Sequence, residues 1–179
     1  DAEDIVHTLK KIGGTHTLED FKSLAVEYVD PIYTSYKEYD VFECPPNGQG
    51  IVALLMLNIL ENFNLANFKP DSCERTHLET EVSKLAFYHR NKYLGDPAFV
   101  DVPVEKILSK SYAKKLSTLI NKNSIISNLS IEDIPNHKDT VYISVVDKDR
   151  NFVSFINSIF HPFGSGIVAP KSGVLLHNR

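Results

Sequence analysis

Residues 139–149 of this chain read DTVYISVVDKD. Apolar and β-branched residues dominate this stretch, and a second stretch of the same kind follows at residues 151–156. Between the two, Lys148-Asp149-Arg150 supplies the polar residues of a tight turn. The pattern predicts an antiparallel hairpin with strands at residues 140–147 and 151–156.

Upstream of this hairpin the sequence combines helix and strand patterns. Residues 29–35 and 40–44 are rich in β-branched and aromatic residues and predict a second hairpin. Residues 49–62 predict a helix that is apolar around most of its circumference and therefore central. A second long helix is predicted at residues 73–93, with Gly95 just beyond its end. The predicted fold class is α+β.

Shorter elements complete this prediction. Thr17 and Asp20 have the spacing of a capping box and predict the start of a helix. Residues 104–108 and 112–120 predict short helices, and residues 173–176 predict the beginning of another strand. These elements leave residues 121–136 as a polar connection.

Composition excludes several classes of function. With 179 residues, 42% of them hydrophobic, the chain is large enough for a globular domain or a large part of one. It has 19 basic and 23 acidic residues and no dense basic stripe, so no nucleic-acid partner is expected. Residues 44–60 are nearly uncharged but contain prolines and glycines, so no membrane span is expected. The acidic residues 1–4 do not resemble an export signal, which leaves the compartment open, with the cytoplasm favoured.

Cysteine and histidine patterns argue against a metal site. Cys44 and Cys73 are too few for a disulfide framework or a structural zinc site, and both are expected to be buried thiols. The histidines form no metal-binding pair, and His77 and His89 are expected on the surface or at an interface of the second long helix. No metal is therefore predicted.

Two segments invite comparison with catalytic motifs. Residues 48–53 fit the pattern GxGxxA, and Asp71 lies at the spacing of a ribose-binding acid. However, Pro45-Pro46 separates the preceding strand from the glycines, so a tight turn and helix start is the favoured interpretation. Gly164-Ser165-Gly166 lacks the glycines two residues on either side of the serine that a nucleophile elbow needs.

Thr140 is a third candidate, at the start of the predicted hairpin. Threonine is a weak nucleophile, but as the first residue of a chain it has a free α-amine, with a pKa of about 8, that can act as its general base. Cleavage between Asp139 and Thr140 would create this arrangement. From the residues alone, an ordinary strand residue is the favoured interpretation of Thr140.

Five ordered segments of the chain resemble the gamma-glutamyltransferase family. In chain order they are GGTHTLED at residues 13–20, PPNGQG at residues 45–50 with LNILE at residues 57–61, YLGDPAFV at residues 93–100, the stretch at residues 139–149, and FGSGIV at residues 163–168. The stretch at residues 139–149 resembles the processing site of the family.

The resemblance implies an N-terminal nucleophile hydrolase with a four-layer αββα fold that is incomplete in this chain. The precursor would cut itself, so that residues 1–139 form the C-terminal part of the large subunit and residues 140–179 the start of the small subunit. The remaining segments of the precursor would supply the arginine-bearing region that holds a substrate carboxylate and the Gly-Gly oxyanion hole. No cofactor is implied.

The resemblance also implies roles for individual residues. Thr140 matches the nucleophile, and Ser158 matches a hydroxyl residue that orients it. Tyr142, Asn157 and Phe160 would line the substrate pocket. Tyr142 replaces the histidine, and Phe160 the asparagine, that are common in glutathione-handling members, and these differences resemble the small-amide branch of oxamate amidohydrolase-like proteins. The expected substrate is a gamma-glutamyl compound or a small amide, cleaved through an acyl-enzyme on Thr140.

A hypothesis from another class remains beside this one. The chain could be a truncated or degenerate relative that is not catalytic and serves as a structural or assembly piece. Self-cleavage of the precursor before Thr140 separates the two hypotheses, because only the enzyme needs a free α-amine at that residue.

Overall fold

The computed structural model describes residues 1–127 and 141–178. Within this part the chain divides into two compact units. The first unit joins residues 1–27 to residues 141–178, and the second contains residues 28–127. The first unit therefore combines residues from both sides of the predicted processing point, and the division into residues 1–139 and 140–179 stays a prediction.

The secondary structure consists of helices and two antiparallel hairpins, which confirms the α+β prediction. The four-layer arrangement stays a prediction. No helix of the described residues is long and apolar enough to cross a membrane. In chain order the elements are α1 (Ala2–Lys11), α2 (Leu18–Ser23), β1 (Ile32–Tyr36), β2 (Tyr39–Glu43), α3 (Gly50–Leu60), α4 (Cys73–Tyr93), α5 (Val104–Leu108), α6 (Lys110–Ser117), β3 (Val141–Val146) and β4 (Phe152–Asn157).

Helix α3 is the centre of the second unit. Its side chains are apolar on nearly every side, so the helix is stable only with neighbours around its circumference. Leu54, Leu55 and Ile59 are at most 1% exposed. Helices α4, α5 and α6 and both strands of the first hairpin supply the neighbours. The prediction of a central helix at residues 49–62 is confirmed.

Helix α4 has the bounds that the sequence predicts. It begins after Ser72, whose hydroxyl accepts a hydrogen bond of 3.2 Å from the backbone N–H of Arg75 and so satisfies one of the first N–H groups of the helix. Leu78, Val82 and Leu85 recur at helical spacing and are buried against the core around α3.

His89 lies on the buried side of α4 and is 5% exposed, so the prediction of a surface or interface histidine is wrong for it. Its Nδ1 lies 2.7 Å from the carbonyl oxygen of Leu85, and its Nε2 lies 2.7 Å from the hydroxyl of Tyr112. Both ring nitrogens are satisfied in a neutral imidazole that carries its proton on Nδ1. Burial lowers the pKa of His89 below its ordinary value.

Helix α4 also holds the segment that follows α6. Glu81 is 1% exposed and accepts hydrogen bonds from Lys84 Nζ at 2.9 Å and from the backbone N–H of Ile126 at 2.7 Å. Lys84 donates in addition to the carbonyl oxygen of Ile126 at 2.7 Å. Burial alone would raise the pKa of Glu81, but these hydrogen bonds bring it below its ordinary value. Both backbone polar groups of Ile126 are therefore fixed by one ion pair.

The first hairpin, β1–β2, confirms the strands predicted in this region. It pairs from Ile32–Glu43 to Tyr36–Tyr39. Gly50, at the start of α3, lies so close to β2 that an added Cβ would come within 2.5 Å of the Cβ of Glu43. Because the two strands are antiparallel and Asp71 lies in a turn before α4, residues 48–53 form a tight turn and helix start.

Both cysteines are exposed, so the prediction of buried thiols is wrong. Cys44 directly follows β2 and precedes Pro45, where the chain leaves the hairpin. Cys73 is the first residue of α4, a full turn before the buried positions of that helix begin at Leu78. Cysteine is often buried, but the exposure of a thiol depends on where its residue lies in a helix or strand, and both of these residues lie at the ends of elements.

Two helix boundaries follow from hydroxyl caps. At the start of α2, the Thr17 hydroxyl accepts from the backbone N–H of Asp20 at 3.4 Å and the Asp20 carboxylate accepts from the Thr17 N–H at 2.7 Å, which confirms the predicted capping box. Helix α6 begins at Lys110, earlier than predicted, because the Ser109 hydroxyl accepts from the backbone N–H of Tyr112 at 3.3 Å.

Candidate functional site

The predicted nucleophile and the bond to be cut, at Asp139 and Thr140, lie outside the described residues. The site is therefore built from the β3–β4 hairpin, whose first residue, Val141, follows Thr140 in the sequence. Val141 pairs with Asn157, and Asn157 precedes Ser158. Val141, which follows Thr140, and Asn157, which precedes Ser158, therefore lie directly opposite each other in the sheet.

The hairpin is regular from Val141–Asn157 to Val146–Phe152, which confirms the strands predicted from the sequence. Its turn is organised by the carboxylate of Asp147, which accepts hydrogen bonds of 2.8 Å from the backbone N–H groups of Asp149 and Asn151 and from the Asn151 side chain. The hydrogen bonds from Asn151 lower the pKa of Asp147. This network fixes the register of the hairpin.

Both faces of the hairpin are exposed within the described residues. Val141, Ile143 and Val145 lie on one face and are between 44% and 59% exposed, and Phe152 and Ile156, which belong to the other face, are more exposed still. A strand with apolar residues on both faces is typical of a sheet that is covered on both sides.

Tyr142 lies in the first strand of this hairpin, and its hydroxyl is 2.8 Å from the Ser154 Oγ. Hydrogen bonding to the hydroxyls of Ser144 and Ser154 lowers the pKa of Tyr142. Ser144 and Ser154 pair with each other, two positions along the ladder from the pair that contains Tyr142 and away from Asn157. The phenol therefore reaches along the hairpin toward its turn.

The chain turns sharply after Asn157, the last residue of β4. The Ser158 Oγ accepts a hydrogen bond of 3.1 Å from the backbone N–H of Phe160. Phe160 has a φ of 78°, a left-handed conformation that costs a residue with a side chain on the order of 1–2 kcal/mol. Its half-buried ring stands edge-on to the ring of His161, with 4.8 Å between the centroids. The structure therefore brings Asn157, Ser158 and Phe160 together at the end of β4.

Residues 159–178, which follow the β3–β4 hairpin, form an irregular hairpin that we call the loop hairpin. Ladder-like hydrogen bonds join the backbone N–H of Leu176 to Ile167 O at 2.9 Å and the N–H of Ala169 to Val174 O at 2.9 Å. The strand predicted at residues 173–176 is wrong in extent, because this part of the described chain contributes only a bridge between Val168 and Leu175.

Ser165, the serine of the rejected elbow motif, is engaged inside the loop hairpin. Its Oγ donates to the carbonyl oxygen of Leu176 at 2.8 Å and accepts from the backbone N–H of Ile167 at 3.2 Å. Next to it, Gly164 has a φ of 52°, and an added Cβ would lie 2.4 Å from Leu176 O. Ser165 and Gly164 are therefore accounted for by the close approach of the two arms of the loop hairpin at Leu176.

Asp4 is a residue of this unit that sequence reasoning missed. One carboxylate oxygen, Oδ2, accepts hydrogen bonds from the backbone N–H of Lys171 at 2.9 Å, from the N–H of Ser172 at 2.8 Å and from the Ser172 Oγ at 2.9 Å. The hydrogen bond from the Ser172 N–H is the main cause that lowers the pKa of Asp4. No local pattern indicates this contact, because its partners are far apart in the sequence.

Within the described ranges, no group of three or more His, Cys, Asp or Glu residues could hold a metal ion. The polar groups near the start of β3 and the end of β4 are hydroxyls and amides, from Tyr142, Asn157 and Ser158. Such groups orient a nucleophile or hydrogen-bond a substrate, and none of them is itself a general base at neutral pH.

Comparison with known proteins identifies the family of this chain. A family model described as gamma-glutamyltranspeptidase matches residues 2–179. The glutathione hydrolase-like YwrD proenzyme of Bacillus subtilis strain 168 is 41% identical over 178 residues, which cover 99% of this chain and 33% of that protein. The glutathione hydrolase proenzyme of Escherichia coli strain K12 is 36% identical over 183 residues, covering 99% of this chain and 32% of that protein.

The matches also include an oxamate amidohydrolase and a solved structure. The oxamate amidohydrolase proenzyme of Klebsiella pneumoniae is 31% identical over 178 residues, with 99% of this chain and 33% of that protein covered. The crystal structure of cephalosporin acylase from Bacillus halodurans matches with a TM-score of 0.80 and 37% identity, over 99% of this chain and 32% of that one. The chain spans about a third of the length of the curated relatives it matches. With a family model that covers residues 2–179, the chain belongs to the gamma-glutamyltranspeptidase family.

Proposed function

We propose that the full-length protein is a self-processing threonine amidohydrolase or gamma-glutamyl transferase whose nucleophile is Thr140. The observation that carries the proposal is the family match over residues 2–179, which includes the segment around Thr140. The names of the matched relatives, all proenzymes, support a precursor that is processed.

Processing and turnover use the same hydroxyl. In processing, the Thr140 hydroxyl attacks the carbonyl carbon of Asp139, and the peptide C–N bond breaks so that the freed α-amine of Thr140 takes up the hydroxyl proton. Water then hydrolyses the resulting ester, which releases the Asp139 carboxylate and restores the Thr140 hydroxyl. In turnover, that amine accepts the hydroxyl proton as the oxygen attacks a substrate amide. The proton passes to the leaving amine, and an acyl ester remains on Thr140. Water then releases an acid, or an acceptor amine takes the acyl group to form a new amide.

Ser158 is the proposed orienting hydroxyl. The pairing of Val141 with Asn157 supports this role, because it sets the sequence neighbours of the two hydroxyl residues opposite each other. The Ser158 Oγ accepts from the N–H of Phe160, which fixes the hydroxyl at the end of β4, and the Thr140 hydroxyl is the group that we propose it orients. Orientation of a nucleophile by one hydrogen bond can change a rate by about a hundredfold.

The proposed substrate is an amide, with small amides preferred over glutathione-like compounds. Tyr142, Asn157 and Phe160 are the pocket residues in this proposal. Asn157 and Phe160 lie close together at the end of β4, whereas Tyr142, whose hydroxyl is 2.8 Å from the Ser154 Oγ on the opposite face of the hairpin, is included on the family resemblance alone. An aromatic ring at Phe160 cannot satisfy a charged glutamyl group, and leaving such a charge unpaired in a pocket costs several kcal/mol. The relative described as an oxamate amidohydrolase supports the preference. The residues assigned to the reaction need no cofactor.

The deciding experiment is production of the full-length parent and sequencing of its small subunit. The expected small subunit begins at Thr140. Thr140→Ala should abolish both cleavage and turnover, whereas Thr140→Ser, which keeps a hydroxyl and an amine, should retain measurable cleavage. An active parent whose small subunit begins at any other residue would falsify the assignment, and an uncleaved, inactive parent would favour the non-catalytic alternative.

Substrate preference is tested on the same processed enzyme. We expect kcat/KM for short amides such as oxamate to exceed kcat/KM for gamma-glutamyl anilides. Phe160→Asn, which restores an amide side chain at that position, should shift the ratio toward the gamma-glutamyl compound. Strong turnover of the anilide with acceptor-stimulated transfer, and none of the short amide, contradicts the preference but leaves the assignment of Thr140 intact.

A further inference from the structure

Among the described residues, the Asp4 carboxylate binds the tip of the loop hairpin, residues 169–173. Asp4 Oδ2 accepts the backbone N–H groups of Lys171 and Ser172 and the Ser172 hydroxyl, all within 2.9 Å. Asp4 is in the first turn of α1, which is anchored through its buried residues Ile5 and Val6. The carboxylate is therefore a fixed acceptor on a packed helix.

The two arms of the loop hairpin connect this tip to the end of β4. Starting at the tip, the N–H of Gly173 donates to Ala169 O at 2.8 Å, and Ala169 is fully buried. At the base, the N–H of Asn178 donates to Ile159 O at 3.3 Å, and the Asn178 Oδ1 accepts from the N–H of His161 at 3.1 Å. Hydrogen bonds thus run through the loop hairpin from the residues that Asp4 binds to the residue next to Ser158.

Backbone contacts join the two arms of the loop hairpin between these ends. Gly164 allows a backbone approach to Leu176 that no side chain would permit. The hydrogen bonds from Leu176 N–H to Ile167 O and from Ala169 N–H to Val174 O couple the position of the tip to that of the base. A shift of the tip away from α1 would therefore move Ile159 and, with it, the turn that contains Ser158 and Phe160.

We propose that Asp4 is a positioning residue that acts through Ser158: its contact with Lys171 and Ser172 fixes the loop hairpin and so the hydroxyl that orients the nucleophile. The inference rests on the proposed function for the role of Ser158. It also assigns Asp4, on the large-subunit side of the proposed cleavage, as a residue that holds the small-subunit side in place once the chain is cut.

The contact itself is tested by hydrogen exchange on the processed full-length protein. Asp4→Ala removes the acceptor of two N–H groups, so the amides of Lys171 and Ser172 should exchange at least about fivefold faster. Glu3→Ala is the matched control, because Glu3 is the adjacent acid of the same helical turn and accepts none of these hydrogen bonds. Equal exchange in Asp4→Ala and wild type overturns the proposal. If Asp4→Ala gives no folded protein, Asp4→Asn, which keeps one acceptor oxygen, replaces it with a smaller effect in the same direction.

The role in positioning is tested by kinetics. Asp4→Ala should lower kcat roughly five- to tenfold with little change in KM, because the orientation of a group and not the binding of substrate is lost. If Asp4 acts through Ser158, the double variant Asp4→Ala/Ser158→Ala should be no slower than Ser158→Ala alone. Multiplicative losses in the double variant, or an unchanged kcat in Asp4→Ala, overturn the positioning role.

The outcomes keep this inference separate from the proposed function. If the small subunit does not begin at Thr140, the proposed function fails, while the exchange of the Lys171 and Ser172 amides still reports whether Asp4 holds the tip. If cleavage before Thr140 and turnover are normal and Asp4→Ala behaves as Glu3→Ala does, the role of Asp4 fails and the assignment of Thr140 stands.

Discussion

The core around α3 and the β3–β4 hairpin are both rich in apolar residues, yet they differ completely in burial. Leu54 and Ile59 on α3 are fully buried, whereas Ile143 and Phe155 on the hairpin are about half exposed. The helix finds its neighbours within residues 28–127, but the hairpin finds no cover for either face within the described chain. An apolar pattern therefore predicts burial without revealing which part of a protein provides the cover.

The comparison is tested most strongly in the core. Leu54→Ala should lower the free energy of unfolding of the chain by about 3–4 kcal/mol, because it removes a fully buried side chain and leaves a cavity. Urea denaturation followed by circular dichroism measures the change. Leu119, which is 55% exposed in the same unit, is the control, and Leu119→Ala should change the stability by less than about 0.5 kcal/mol. Similar losses in both variants would mean that α3 is not the core.

A buried charge in the same unit should give the next largest effect. Glu81→Ala leaves the N–H of Ile126 without its acceptor and Lys84 without its carboxylate partner, and it should cost about 2 kcal/mol of stability. Glu79 on the same helix forms an ion pair with Arg75 at 2.7 Å but is 46% exposed, so Glu79→Ala should cost less than about 1 kcal/mol. A larger loss in Glu79→Ala than in Glu81→Ala contradicts this ordering.

The buried histidine predicts a pH dependence. The pKa of His89 is lowered by burial in the folded chain, so the unfolded chain binds the proton more readily. The contribution of His89 to stability is full above its ordinary pKa, about 6.5, and declines as the pH falls below that value. The urea concentration at the midpoint of unfolding should therefore decrease as the pH is lowered from 7 to 5, and this decrease should be smaller in His89→Gln. A decline that is unchanged in His89→Gln would place the sensitive group elsewhere.

The smallest change in stability is expected for a substitution on the β3–β4 hairpin. Ile143→Thr should change the stability of this chain by less than about 0.5 kcal/mol, because the side chain is 44% exposed. In the full-length parent, where we expect other segments to cover the hairpin, the same substitution should cost at least about 1 kcal/mol. A parent as tolerant as the chain would show that this face of the hairpin stays open to solvent.

The sequence predicts much of the fold because local patterns carry it. The apolar residues of α3, the helical spacing on α4 and the capping box at Thr17 each depend on neighbours within a few residues, and all three are confirmed. The exposed cysteines and the buried His89 were predicted wrongly because burial depends on distant partners. The partner of His89 is Tyr112, on another helix, and no helical spacing indicates it.

Local sequence patterns also predict only part of the candidate site. The strands that follow Thr140 and precede Ser158 are evident from their composition, and their pairing follows from a hairpin with a short turn. The roles of Thr140 and Ser158 come instead from resemblance to a family, because an isolated threonine or serine in a strand carries no chemical signature. Asp4 is found only in three dimensions, since its contacts with Lys171 and Ser172 join opposite ends of the sequence.

The ion pair of Glu81 and Lys84 binds both backbone polar groups of Ile126, the N–H through Glu81 and the carbonyl oxygen through Lys84. Displacing Ile126 would remove one hydrogen-bond partner from each charge of a pair whose carboxylate side chain is 1% exposed. Such a loss is costly for a buried charge. Ile126 should therefore leave α4 in one cooperative step that breaks both hydrogen bonds together.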